Sequence, residues 1–171
     1  DGGERGLYRS TDGGTTWDLI LDIDEHTGVN EFVVDPRNPN VIVASSYQRR
    51  RHVWVLINGG PGSGIYKSTD RGESWSEVKA GLPSDDMGRI GLAGAASDPD
   101  MLYAIIEAND DEQGVYRSTD FGGTWESVRG LHTKYTVRQA SCTRGHGRHD
   151  AGAENTKAKH QPPRPTRTLE R

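Results

Sequence analysis

The sequence predicts an all-β fold built from a repeated four-stranded unit, and three observations carry that prediction. A twelve-residue text recurs three times, a second strand-forming text alternates with it, and the composition is that of many short strands joined by tight turns. The 171 residues include 22 glycines but only two Phe, four Trp and six Tyr. Each observation is local, yet together they fix the architecture.

The first text reads Gly6-Leu7-Tyr8-Arg9-Ser10-Thr11-Asp12-Gly13-Gly14-Thr15-Thr16-Trp17. It returns as Gly64-Ile65-Tyr66-Lys67-Ser68-Thr69-Asp70-Arg71-Gly72-Glu73-Ser74-Trp75, and again from Gly114 through Ser118, Asp120 and Gly122 to Trp125. The aspartates lie 58 and 50 residues apart. Each tyrosine belongs to an incoming strand, and the chain reverses at Asp-x-Gly. An aspartate accepting backbone N–H bonds two residues on closes such a turn from within, and Gly14, Gly72 and Gly122 supply the freedom that a positive φ requires. Trp17, Trp75 and Trp125 then open the outgoing strands and pack against a neighbouring sheet. Carboxylates spent on local hydrogen bonds are poor acids or bases, so Ser10, Asp12, Ser68, Asp70, Ser118 and Asp120 are read as turn builders.

The second text is Val33-Val34-Asp35-Pro36-Arg37-Asn38-Pro39 before the apolar run Val41–Ala44, matched by Ala96-Ser97-Asp98-Pro99-Asp100 before Met101–Ile106. Asp-Pro followed by β-branched and aromatic residues marks a turn feeding a strand. Each repeat thus offers four strands, two around Asp-Pro and two around the Ser-x-Asp turn, which is the unit of a propeller blade. Residues 6–21 supply the last two strands of one blade, and 29–79 and 90–128 supply two full blades. The prediction is a partial β-propeller of about two and a half four-stranded antiparallel blades in residues 1–130. A closed ring needs at least about four blades, or sixteen strands.

The pattern Ser-x-Asp-x-Gly-x-Thr/Ser-Trp resembles the Asp box, or bacterial neuraminidase repeat, of sialidases, sortilin-type receptors and xyloglucan hydrolases. The wider text (Tyr47–Arg51, Gly59–Tyr66, Met87–Leu92) resembles bacterial sortilin-type propeller proteins, which are often called glycosyl hydrolases on the strength of the repeat. The resemblance covers residues 1 to about 127. It implies an exported, ring-shaped propeller, periplasmic or secreted in a bacterium, of which this chain is one arc. The implied partners are the remaining blades and a carbohydrate or protein ligand.

A site is expected where a blade carries an insertion. Asp35 to Asp70 spans 35 residues against 22 from Asp98 to Asp120, so the first full blade is read as carrying 13 extra. The insertion centres on Gln48-Arg49-Arg50-Arg51-His52-Val53-Trp54 and sets cations beside an indole, a pairing that suits carboxylates, sugars or a protein surface. Arg49, Arg50, Arg51, His52 and Trp54 are therefore the candidate ligand-binding residues, against the plainer reading of a brace between blades. The same face should carry the acidic loops Asp22–His26, Ser84–Met87 and Asn109–Glu112, read as solvated. No catalytic residue, metal site or cofactor is assigned. A sialidase needs three separated arginines, and consecutive ones on a strand point alternately to opposite faces. The competing reading is part of a propeller glycoside hydrolase with its carboxylates mostly outside this chain.

Charge divides the chain. Residues 131–171 carry nine Lys/Arg against three Asp/Glu, and the first 130 carry 12 against 22. The tail loses apolar periodicity, is expected to be disordered, and is read as the product of a changed reading frame near residue 130. Its Cys142, His146 and His149 lack a fourth metal ligand, and its basic charge lacks an aromatic stacking platform, so nucleic acid is not expected as a partner. A single cysteine allows no intrachain disulfide. No apolar run approaches the roughly 18 residues of a membrane helix.

Overall fold

A computed structural model describes residues 4–128. The expectations placed on residues 131–171, including Cys142, His146 and His149, lie outside the described residues. Within them the fold is all-β, as the repeats require. Strands β1 (Leu7–Arg9) and β2 (Asp18–Leu21) form a two-stranded antiparallel sheet. The next sheet has the order β3 (Thr27–Asp35), β4 (Asn38–Arg51), β6 (Ile65–Ser68), β7 (Ser76–Val78), with β5 (Leu56–Asn58) paired to the far end of β4. The third runs β8 (Ile90–Ala95), β9 (Asp98–Ile106), β10 (Gly114–Ser118), β11 (Glu126–Ser127). Every pairing is antiparallel between sequence neighbours except β4 with β6, which β5 interrupts. No ring is closed among the described residues.

Two sequence expectations need correction. The first Asp-Pro pair, Asp35-Pro36, is not the counterpart of the second, Asp98-Pro99. Asp35 pairs with Asn38 across the first hairpin and Ala95 with Asp98 across the second, so Asn38-Pro39, not Asp35-Pro36, is the counterpart of Asp98-Pro99. In register, Ile42 faces Ser68 at a separation of 26 residues, whereas Leu102 faces Ser118 at 16. The insertion is therefore ten residues, not thirteen. It also builds an eleventh strand where ten were expected, because β4 runs on to Arg51 and folds back as β5.

The core lies between the second and third sheets. In β9, Leu102, Ala104 and Ile106 are buried while Tyr103 and Ile105 are exposed, the two-residue alternation of a strand with one covered face. The buried row meets Val43 of β4 and Ile65 of β6, joined by Ile90, Tyr116, Phe121 and Trp125. Polar bonds fix the same interface. Ser45 Oγ and Asn30 Nδ2 both donate to the carbonyl of Ile90, at 3.0 and 3.1 Å, and Leu92 N–H donates to Glu31 at 2.6 Å. At the opposite edge Arg37 forks onto the buried Asp35 and reaches Asp100 of the next blade at 2.6 Å. Its guanidinium holds the Asp35 carboxyl below the usual carboxylate range.

The three Ser-x-Asp turns share one hydrogen-bond network. Ser10 Oγ donates to Asp12 Oδ1 and accepts from the N–H groups of Asp12 and Gly14. Asp12 then accepts from Thr15 N–H, Thr16 N–H and the Thr16 hydroxyl at 2.7–2.9 Å. Asp70 and Asp120 repeat the pattern with Ser74, and with Gly123 and Thr124. The aspartate thus reaches three and four residues on, not two, and the serine caps the glycine that the sequence singled out. Those glycines do sit at positive φ: 93°, 88° and 76° for Gly14, Gly72 and Gly122. The preceding residue is left-handed as well, including Arg71 and Phe121, at 66° and 52°. Backbone bonds from Arg71 to Asn40 and from Phe121 to Asp100 anchor that uncommon conformation to the adjacent hairpin.

The three tryptophans differ in cover. Trp125 is 5% exposed and its backbone N–H donates to the Ala80 carbonyl of the preceding blade, whereas Trp17 is 60% exposed. The indole packs where a preceding blade exists, and only the later repeats have one among the described residues.

Two predictions follow from this architecture. Hydrogen bonds from the Thr16 N–H and hydroxyl and from Ser10 lower Asp12 to about 2, and bonds from Ser74 and Ser68 lower Asp70 likewise. For Asp120 burial pulls upward, but the bonds from Thr124, Ser118 and Gly123 prevail, again to about 2. Folded values below the ordinary 3.8 mean that this stabilisation is complete above about pH 4 and lost as pH falls toward about 2. Thermal melts of the intact propeller should show that acid slope, and Asp12, Asp70 and Asp120 all changed to Asn should flatten it; an unchanged slope refutes the assignment.

The second concerns glycines of matched conformation. Gly13 and Gly81 have φ of 75° and 78°, but a Cβ on Gly13 meets nothing within 4 Å while one on Gly81 overlaps the Trp125 carbonyl. Gly13→Ala should cost about 1 kcal/mol, the left-handed penalty alone, and Gly81→Ala about 3 kcal/mol or more because the two blades must part. Equal costs in denaturant titrations would show that the interface does not press on Gly81.

Candidate functional site

The connections on the edge opposite the Ser-x-Asp turns are tied to one another. Arg49 N–H donates to His26 of the β2–β3 loop at 3.0 Å, Gly60 N–H to Met87 at 3.0 Å, and Gly88 N–H to Glu107 at 2.7 Å. Asn109 donates to Asp85, and Ser84 N–H and hydroxyl to Glu112. The loops that the sequence grouped on one face therefore do meet there, and the acidic residues Asp85 and Glu112 accept hydrogen bonds rather than standing wholly solvated.

At one end of this face a cavity of about 380 Å³ is lined by Arg5, His26, Arg49, Arg50, Arg51 and His52. Its walls come from three places: the segment before β1, the β2–β3 loop, and the insertion that prolongs β4. Arg5 Nη1 donates to the carbonyls of His26 and Arg49 at 3.0 and 2.7 Å, drawing the three together. Arg50 is held between imidazoles, its Nε donating to His52 Nε2 at 2.8 Å and its Nη1 lying 3.3 Å from His26 Nε2. A carboxylate of Glu25 stands 3.2 Å from the same His26 nitrogen. Among the described residues no carboxylate lines the cavity, so its four guanidiniums give it a cationic wall suited to an anion.

Four of the five candidate residues are thus brought together and one is not. Arg49, Arg50, Arg51 and His52 line the cavity, but on strand and hairpin rather than on an irregular loop. They do not converge on a single point: Arg50 is engaged by the histidines, while Arg49 contributes its carbonyl to Arg5. Trp54 is outside the lining, 91% exposed at the tip of the β4–β5 hairpin. The cations that the sequence sets beside an indole line the cavity, and the indole stands on the hairpin tip beyond it. Sequence reading missed Arg5 and His26. His26 sits in a loop that reads as acidic, and Arg5 precedes the first repeat; each joins the site only through contacts 21 to 44 residues distant.

The aspartates of the Ser-x-Asp turns lie on the other edge and are fully engaged in their turns. Among the described residues no group of three or more His, Cys, Asp or Glu side chains is placed to hold a metal ion. No helix among them is long and apolar enough to cross a membrane.

Comparison with known proteins adds a family. The profile of Sortilin-Vps10, described as sortilin, neurotensin receptor 3, matches residues 5–168. A fungal protein, vacuolar protein sorting/targeting protein 10 of Colletotrichum graminicola, is 35% identical over 98 residues, which is 57% of this chain and 6% of that protein. The chain therefore spans a small fraction of the relative it matches. A fungal relative gives no support to the bacterial origin that the resemblance implied.

Arg5 generates the prediction for this site. Arg5→Ala in the intact propeller should lower stability by about 1 kcal/mol through two lost bonds to carbonyls. Both bonds leave the single Nη1, so Arg5→Lys, whose ammonium carries three donors, should restore more than half. No rescue by lysine, read from melting temperatures, would mean that these two bonds are not what holds the segment.

Proposed function

The chain belongs to the Sortilin-Vps10 family, and from that premise we propose that it is a non-catalytic arc of a ligand-binding β-propeller whose cationic cavity takes an acidic segment of a protein ligand. The observation that carries the proposal is that Arg5, Arg49, Arg50, Arg51, His26 and His52 line one cavity with no carboxylate in its lining among the described residues. The name of the fungal relative, a protein sorting and targeting protein, favours a protein over a sugar as the ligand. An extracytoplasmic location accords with such a receptor and is part of the same proposal. Remaining blades of the propeller would complete the ring and share the ligand.

A glycoside hydrolase is the weaker reading. The three repeated aspartates are bonded within their turns and held near pKa 2, where they are too weakly basic for general base work near neutrality.

Fluorescence anisotropy with an octaglutamate peptide tests the proposal. Arg49→Ala with Arg51→Ala in the intact propeller should weaken binding more than about tenfold, or 1.4 kcal/mol, and raised salt should weaken the wild type in parallel. If binding survives while the melting temperature falls, these arginines brace the blades and the proposal fails.

A further inference from the structure

The insertion does more than wall the cavity. Beyond Arg51 and His52 it carries the run Val53-Trp54-Val55-Leu56, in which Val53 is 87% and Trp54 91% exposed, and Val55 and Leu56 are more than half exposed. Four consecutive apolar residues in water are unusual on a soluble domain, and aggregation or docking is their common meaning. This run is not a loose loop. His52 N–H closes the tip by donating to the Val55 carbonyl at 2.8 Å. Below it Arg49, Arg50 and Arg51 pair with Asn58, Ile57 and Leu56. The base is anchored by Gly59 N–H to the Gln48 carbonyl at 2.9 Å, by Gly62 N–H to the Gln48 side chain at 2.9 Å, and by the Tyr47 hydroxyl on Asn58. A braced stem thus holds an indole and three aliphatic side chains out in solvent.

We infer that this hairpin tip inserts into the interface of an anionic phospholipid bilayer, with the arginines of its stem on the headgroup phosphates. Shape and charge together select that occupant. A convex tip encloses nothing, so whatever covers it must yield around it, as an acyl–headgroup boundary does. Indole favours that boundary, and flanking arginines reach the phosphates above it. Charge then orients the molecule. Residues 1–130 carry 12 Lys/Arg against 22 Asp/Glu, so most of the arc is repelled by an anionic surface while the corner holding Arg5, Arg49, Arg50 and Arg51 is drawn to it. Docked this way, the cationic cavity would lie beside the membrane. The inference does not rest on the acidic-ligand reading.

The test is flotation of the intact propeller with vesicles of phosphatidylcholine, alone or with about one-third phosphatidylserine. Partition into the anionic vesicles should exceed that into neutral ones by about tenfold or more, and Trp54→Ser should remove most of it. Because Trp54 is almost fully exposed, that variant should keep the wild-type melting temperature and its octaglutamate affinity, which separates this inference from the ligand proposal. Arg51→Gln should weaken partition about fivefold, and acyl-brominated lipid should quench a fluorescence component that Trp54→Ser lacks. Equal flotation of wild type and Trp54→Ser overturns the inference. So does lipid-free sedimentation in which wild type dimerises and Trp54→Ser does not, since a second copy would then be the cover.

Discussion

The whole arc depends on a turn in which one serine hydroxyl and one aspartate carboxylate satisfy the backbone of a tight reversal. The serine accepts from the glycine N–H and the aspartate from the two N–H groups that follow, so three donors of the bend are satisfied from within. Satisfying the bend from inside frees its outer surface to be apolar or close-packed. That surface is used at once. The α-carbon of Gly72 faces Ile20 of the preceding blade and that of Gly122 faces Val43, each so near that a methyl group would collide. The same turn that ends one hairpin therefore sets the spacing between sheets, and Trp125 completes the seam.

How legible this was in the sequence varied with range. The Ser-x-Asp text is local, so the turn, its glycines and the strands on either side could be read directly from three copies. The serine's part was hidden because a hydroxyl near a turn has many partners, and only coordinates tell which it takes. The Asp-Pro text misled for a physical reason. Asp35-Pro36 and Asn38-Pro39 are two X-Pro pairs three residues apart, and both are acceptable at a hairpin. Register, set by Ile42 against Ser68, decides between them. The site was half legible: consecutive arginines announce themselves, but Arg5 and His26 enter through tertiary contacts that no spacing encodes. The tip of the insertion read as loop because its apolar residues are short of a strand's usual company, yet three pairs to β4 suffice to hold it.

Exposed apolar surface occurs here in two forms that ask for different partners. Phe32 and Val34 on β3, and Tyr103 and Ile105 on β9, are exposed on the flat faces of sheets whose other sides are covered. A flat, twisted sheet face is complementary to another of its kind, about 10 Å away, and the pairing of the second and third sheets through Val43 and Leu102 shows what such cover looks like. Trp17, exposed where Trp125 is buried, marks the same want of a preceding blade. These faces belong to the geometry of repetition, in which each unit buries its surface only against the next.

The hairpin tip obeys no such rule. No equivalent of residues 52–57 exists between β9 and β10, where Gly114 pairs directly with Ile106, so repetition does not require it and packing of blade on blade does not explain it. The stem is instead reinforced at every level, from the Arg50–His52 bond to the Gln48 carboxamide that accepts from Gly62. Rigid presentation lowers the entropy lost when a partner arrives, which is of use only if a partner does arrive. An apolar end standing on a cationic stem has its polar and apolar halves in the order in which a membrane interface presents headgroup and chain. That order, rather than the amount of exposed surface, distinguishes this element from the bare blade faces.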